Sequence, residues 1–255
     1  MILIKTKEEI EIMAEGGHIL GKILDMLGKE IKHGTTTGQL EDLAEKLIKE
    51  HNGIPSFKNY RNRQDEPAFP TALCASINNE VVHSPAKPSR LLKSGDIIGI
   101  DIGMEYKGYF TDMAKTFAVG NINKEAARLL KVTIKALEAG IKMVKPGNYV
   151  GDISRAVQGF VEKNGFSVVR ALVGHGVGKY VHEPPAIPNY VMSHQPKIKL
   201  EEGMTIAIEP MVNIGTYQVD TLDDEWTVVT ADGKLSAHFE HTVAVTEKGV
   251  RILTK

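Results

Sequence analysis

Gly95-Asp-Ile-Ile-Gly-Ile-Asp101 and Gly203-Met-Thr-Ile-Ala-Ile-Glu209 lie 108 residues apart and align without a gap. Each runs from a glycine through an apolar, strand-like stretch to one acidic residue. A second correspondence precedes them. A shift of 113 residues lays Ile31-Lys-His-Gly-Thr-Thr-Thr-Gly-Gln-Leu40 on Val144-Lys-Pro-Gly-Asn-Tyr-Val-Gly-Asp-Ile153, pairing Lys32, Gly34 and Gly38 with Lys145, Gly147 and Gly151. Helical patterns flank these turns. Thr6-Lys-Glu-Glu9 has the form of a capping box, and Met13, Gly17, Leu20, Leu24 and Leu27 then alternate at spacings of three and four, which predicts a helix over 7–28. Thr36-Thr-Gly-Gln39 opens another, with Leu40, Leu43, Ala44, Leu47 and Ile48 on one face and Asn52-Gly53 at its end. Residues 122–143 and 150–164 repeat the pair. Helices then strands, twice over, predict an α+β fold of two similar halves, about 1–120 and 121–255, with helices on one face of a pseudo-two-fold antiparallel sheet. No Pro/Ser-rich linker divides the halves, so a single domain over 1–255 is expected, with its cleft at the pseudo-symmetry axis.

Composition narrows what such a domain does. The chain has 255 residues, enough for a substantial core, and its 31 Lys and Arg against 32 Asp and Glu give a net charge of −1. That balance lacks the basic footprint of a nucleic-acid or anionic-membrane binder. No apolar run approaches the roughly 18 to 20 residues that span a bilayer. The opening Met1-Ile-Leu-Ile-Lys-Thr-Lys-Glu has no signal-peptide pattern, and the one cysteine, Cys74, has no partner for an internal disulfide. A cytoplasmic protein is expected.

The acidic ends of the repeated strands carry the chemistry. Ile97–Met104 and Tyr109–Phe117 read as strands about a short turn. With Tyr106 and Lys107 central in that turn, Asp101 faces Asp112 directly, Cβ atoms about 5 Å apart. Two unit charges at 4 Å repel by about 4 kcal/mol at an effective dielectric of 20. A shared proton or a cation would relieve this. Glu209, in Ala207-Ile-Glu-Pro-Met211, and Glu240, in His238-Phe-Glu-His-Thr-Val243, favour the cation, because four carboxylates among apolar neighbours need compensation. His175, in Val173-Gly-His-Gly-Val-Gly178, adds a neutral nitrogen. Oxygen-rich ligation with one imidazole suits two divalent ions, of Co, Mn, Fe or Zn, better than a thiolate-bound structural zinc. The expectation is a hydrolytic two-metal site, with ions about 3.5 to 4 Å apart sharing a water or hydroxide.

Other residues read more plainly. His18, His33, His51 and His194 are expected at the surface. His238 shares a face with Glu240 and is placed behind the ligands, whereas His241 points the other way. Gly174–Gly178 lacks the spacing of a dinucleotide loop, and Cys74 is expected as a buried thiol rather than a nucleophile. There is no Gly-x-Ser-x-Gly, His-Glu-x-x-His or Walker A sequence.

The order Asp101, Asp112, His175, Glu209, Glu240, with Gly-His-Gly ahead of His182-Glu-Pro-Pro185 and with Ile-Glu-Pro-Met, resembles the pita-bread metallopeptidases, and within them type I methionine aminopeptidases. The resemblance runs from about Ile4 to the C-terminus. It is most specific in Ser76-Ile-Asn-Asn-Glu-Val-Val-His83, the aspartate hairpin, residues 174–184, and the run from Trp226 to Thr242. It implies removal of N-terminal methionine from nascent chains, preferentially when the second residue is small. By the same resemblance Asp112 and Glu240 bridge the metals, Asp101 chelates one, and His175 with Glu209 completes the other. The nucleophile is the bridging hydroxide, Glu209 carries the proton, His182 stabilises the oxyanion and His83 contacts the scissile amide nitrogen. Phe69, Cys74, Val181 and Trp226 are expected to line the methionine pocket.

Two stretches depart from the family pattern: His83-Ser84-Pro85-Ala86 where the family has His-Gly-x-Pro, and the charged run over 57–68 where relatives carry a tyrosine-containing pocket loop. Two rivals share the ligands or the fold. An Xaa-Pro aminopeptidase or prolidase would need a large N-terminal domain, for which there is no room ahead of Thr6. A non-catalytic peptide- or ribosome-binding module would have shed ligands that are all present here. Contact with the ribosome is expected, if anywhere, through Lys46, Lys49 and Lys58, and the protein is expected to be a monomer with no nucleic-acid or membrane partner.

Overall fold

The computed structural model describes residues 1–61, 67–194 and 196–255. The part of the charged loop over 62–66 lies outside the described residues. Four helices take the expected positions. α1 (Lys7–Glu30) begins at Thr6, whose hydroxyl accepts from the Glu9 N–H while the Glu9 carboxylate accepts from the Thr6 N–H. It runs two residues beyond the expected end. α2 (Thr37–Glu50) repeats the device with Thr36 and Gln39, and the chain leaves it through Asn52, whose φ of 58° is one that Asn tolerates. α3 (Lys124–Ile141) and α4 (Val150–Lys163) form the second pair. Among the described residues no helix is long and apolar enough to cross a membrane.

Each helix pair covers its own set of strands, and every strand pairing among the described residues is antiparallel. Leu20, Leu24 and Leu27 of α1 and Leu40 and Ile48 of α2 pack with Ile98, Ile100 and Ile102 of the strand Ile97–Tyr106. Leu129 and Leu137 of α3 and Ile153 and Val157 of α4 pack with Ile206 and Ile208 of Thr205–Ile208. The 108-residue shift carries Ile98 onto Ile206 and Ile100 onto Ile208, and all four are fully buried. These apolar layers hold two strand systems, the first carrying Asp101 and Asp112 within its hairpin strands and the second with Glu209 directly after one strand and Glu240 directly before another.

The hairpin register differs from the expected one. Tyr106 pairs with Tyr109, so Lys107 and Gly108 are the central residues, with φ of 51° and 82°. Two positive φ values in a two-residue loop match the right-handed twist of the flanking strands, and glycine at the second place takes its φ without strain. Asp101 therefore stands opposite Ala114 and Asp112 opposite Gly103. Because side chains alternate with a period of two, a shift of two residues keeps both aspartates on one face, diagonal to each other rather than abreast. On the other side of Ile97–Tyr106 runs Leu73–Ile77, which sets Cys74 opposite Asp101.

In the second sheet the order is Gly249–Ile252, His241–Thr246, Thr205–Ile208, Gly174–Gly176, Glu183–Ile187. His241 pairs with Ile208, so Glu240 and Glu209 are the next residues out along the two strands. Two threonines join this sheet to the hairpin. Thr242 Oγ1 accepts from Asp112 N–H at 2.9 Å and donates to Asp112 O at 2.8 Å, and Thr116 Oγ1 makes the same reciprocal pair with His238. Glu240 N–H donates to Ala114 O at 2.9 Å. These bonds bring Asp112 and Glu240 together although they are 128 residues apart in sequence.

Candidate metal centre

Asp101 and Asp112 from within the hairpin strands, His175 from the middle of Gly174–Gly176, and Glu209 and Glu240 from just beyond strand termini meet at one cavity of about 80 Å³, whose wall also includes His83, His182, Phe57, Tyr60, Phe69, Cys74 and Trp226. One ligand atom from each of Asp112, His175 and Glu240 lies within 4.8 Å of the other two. His175 Nε2 is 3.9 Å from Asp112 Oδ2 and 3.6 Å from Glu209 Oε1. The glycines beside His175 have a packing cause. A Cβ at Gly174 would meet Ala207 O at 2.4 Å and one at Gly176 would meet Pro184 O at 2.4 Å, so only glycine lets this strand sit between its two neighbours. His175 Nδ1 lies 2.8 Å from Gly176 O and donates to it, which leaves Nε2 as the lone-pair nitrogen facing the carboxylates.

Electrostatics mark this as a place for cations. Burial, and then mutual repulsion, holds Asp112 and Glu240 well above the usual carboxylate range. Burial raises Asp101 to about 6 and Glu209 to about 8. Burial also pushes His175 down to about 3, so its imidazole is neutral and able to bind a metal. Asp101 Oδ1, Asp112 Oδ1 and Glu240 Oε1 are buried and make no hydrogen bond within the protein. Buried polar atoms are nearly always paired, and three orphaned carboxylate oxygens facing one cavity are explained together by divalent cations. The donor set therefore fits divalent ions.

The surrounding histidines are fixed differently. His83 follows the strand Glu80–Val82 with φ of 58°, and burial lowers it to about 4. Tyr60 OH lies 2.7 Å from His182 Nδ1, and the His182 ring stands edge-on to His175 with centroids 4.5 Å apart. His238 Nε2 is buried 3.6 Å from Glu209 Oε2. His241 turns away and its Nδ1 meets Thr254 Oγ1 at 3.0 Å. His18, His33 and His194 are exposed, but His51 is half-buried, donating from Nδ1 to Leu47 O at 2.8 Å.

The apolar wall is corrected in one place. Phe69, Cys74 and Trp226 line the cavity, the Phe69 and Trp226 rings meeting edge to face at 5.2 Å. Val181 is buried but does not line it, because His182 occupies the cavity side at that point of the chain. Phe57 and Tyr60 take part in the wall instead, and the sequence reading missed them; the signal was two aromatic residues inside an otherwise polar stretch. A wider groove of about 690 Å³ opens from the same histidines and Glu209 past Leu172, Thr221 and Val228.

The model of metallopeptidase family M24 matches residues 11–247. The chain belongs to family M24. Within it the chain stands among the methionine aminopeptidases: it is 48% identical to the methionine aminopeptidase of Clostridium acetobutylicum over 254 residues, covering 100% of this chain and 99% of that protein. The crystal structure of methionine aminopeptidase from Thermotoga maritima superposes with a TM-score of 0.95 at 43% identity, covering 100% of both chains. A prolidase from Pyrococcus furiosus shares the fold at a TM-score of 0.79 and 25% identity, but this chain covers 65% of it. The architecture is the pita-bread fold expected from the sequence, and M24 membership implies use of divalent metal, for which Asp112, His175 and Glu240 form a possible binding group.

Proposed function

We propose that the chain's metal-dependent removal of N-terminal methionine is carried out at this cluster on nascent cytoplasmic polypeptides, with a preference for a small second residue. The observation that carries the reading is the juxtaposition of orphaned, buried carboxylates with a small aromatic-lined cavity and a wider groove. Asp101, Asp112, His175, Glu209 and Glu240 would hold two divalent ions. Such ions, when bound, polarise a carbonyl and lower the pKa of water enough to supply a nucleophile at neutral pH.

The chain's own groups do the rest. Phe57, Phe69, Cys74 and Trp226 receive the methionine side chain, whose polarizable sulfur packs well against ring edges. The cavity holds one side chain, while the continuing polypeptide leaves along the groove. Glu209, raised to about 8 by burial in the protein alone and returned to its ionised form by bound cations, takes the proton of the attacking water and passes it to the departing amine as the C–N bond breaks. His182, kept neutral by burial and oriented by Tyr60, donates to the carbonyl oxygen as it gains charge. His83 holds the scissile amide nitrogen in line for protonation.

The test is a peptide panel. Metal-loaded protein given Met-Ala-Ser, Met-Leu-Ser and Ala-Pro-Ser should release methionine from the first at least about tenfold faster than from the second, and nothing from the third. Faster cleavage of the Xaa-Pro peptide would replace this reading with a prolidase-like one.

A further inference from the structure

The turn after His83 is held by a defined set of hydrogen bonds. His83 adopts a left-handed backbone conformation, φ 58°, which a residue with a Cβ disfavours and which persists only where its surroundings determine it. The next residue, Ser84, is buried at 2% exposure, and its backbone O accepts from Ala75 N–H at 2.7 Å. Arg90 completes the hold. Its Nη1 donates to Ser84 Oγ at 2.6 Å and to Ala75 O at 3.2 Å, and its Nη2 donates to Glu80 Oε2 at 2.5 Å. Glu80 Oε2 also accepts from Ile77 N–H at 2.7 Å. One guanidinium thus ties together the start of the strand that leads into His83, the neighbouring strand and the hydroxyl immediately after His83. Arg90 is itself anchored: its N–H donates to Lys87 O and its O accepts from Thr37 N–H at the start of α2.

We propose that Arg90 is a positioning residue for His83, acting through Ser84 and Glu80 to fix the imidazole at the mouth of the cavity. The planar fork suits the task, since it reaches three acceptors at once with little loss of rotamer freedom for each bond, which an ammonium does less well. Arg90 is not among the residues that line the cavity. Its effect on turnover therefore passes through the histidine. The inference rests on the proposed role of His83 at the scissile amide.

A mutant cycle tests it, with kcat and KM for Met-Ala-Ser measured on metal-loaded Arg90→Ala, His83→Ala and the double variant. Arg90→Ala should lower kcat about tenfold with KM nearly unchanged, as expected for a misplaced catalytic group. In the His83→Ala background the same change should have no further effect, within about twofold. Arg90→Lys should recover part of the loss. Equal losses in both backgrounds, or no loss from Arg90→Ala, overturn the proposal. If His83→Ala alone leaves kcat unchanged, the role assigned to His83 fails, a result separable from additivity in the cycle. Should Arg90→Ala not fold, Ser84→Ala runs the same cycle by removing only the hydroxyl: a loss of about threefold confined to the His83 background supports the proposal, and an additive or absent loss overturns it.

Discussion

Glu209→Gln is expected to lower kcat for methionine release by about 10²- to 10⁴-fold while leaving peptide binding within a few-fold of the parent. Glutamine keeps the shape and one acceptor oxygen of the glutamate but has no carboxylate to take a proton. Glu209 is placed for this work. Burial raises it to about 8, His175 Nε2 lies 3.6 Å from one of its oxygens and His238 Nε2 3.6 Å from the other. Without metal such a carboxyl is largely protonated at neutral pH; bound cations would favour its ionised form, which is the form that accepts a proton. Metal content must be measured on the same sample, because Glu209 is also an expected ligand. A variant with full metal content and a kcat within about threefold of the parent would remove Glu209 from the proton path.

Lys5→Met is expected to destabilise the protein by about 3 kcal/mol or more in chemical denaturation at matched metal content. Lys5 and Glu183 form an ion pair with side-chain exposures of 1% each. The second carboxylate oxygen of Glu183 accepts from the N–H groups of Lys179 and Tyr180 at 2.5 and 2.9 Å. Burial lowers the Lys5 pKa, and Glu183 opposes that shift through its hydrogen bond and charge. Removing the ammonium strands a charged carboxylate in the interior, a cost that exceeds the apolar gain from methionine. Adding Glu183→Gln should restore part of the stability by removing the stranded charge. Because Glu183 immediately follows His182 in the chain, the single variant should also lose activity. A change below about 1 kcal/mol would mean that the carboxylate is solvated once its partner is gone.

The parts of the site that were legible in sequence are those where a rule of burial is broken. Asp101, Asp112, Glu209 and Glu240 stand out because an acid inside an apolar strand is expensive unless something compensates it. His175 stands out because glycines on both sides signal close backbone approach. Helices were legible through their caps and spacing, α1 extending only two residues further than its pattern. Hairpin register was less so, since Glu105-Tyr-Lys-Gly108 offers two placements of a two-residue loop and only the φ values at Lys107 and Gly108 decide between them. The shift by two left the aspartates on their face, so the chemistry survived the error. Phe57 and Tyr60 were legible only as aromatics within a polar stretch, because a loop has no period that tells which side chain turns inward. The joining roles of Thr116 and Thr242 were illegible for another reason: they depend on how two distant strands meet, which no local pattern encodes.

The claim that joins fold to function is that the buried carboxylates gathered on these strands hold divalent ions and that methionine release depends on them. Titrating chelator-stripped protein with Mn or Co, while following methionine release from Met-Ala-Ser and ion uptake together, tests it most directly. The account predicts negligible release from the stripped protein, activity that rises with uptake of up to two ions, and loss of both uptake and activity in Asp112→Asn and Glu240→Gln. Full activity without metal, or ion uptake unaffected by either substitution, would contradict it.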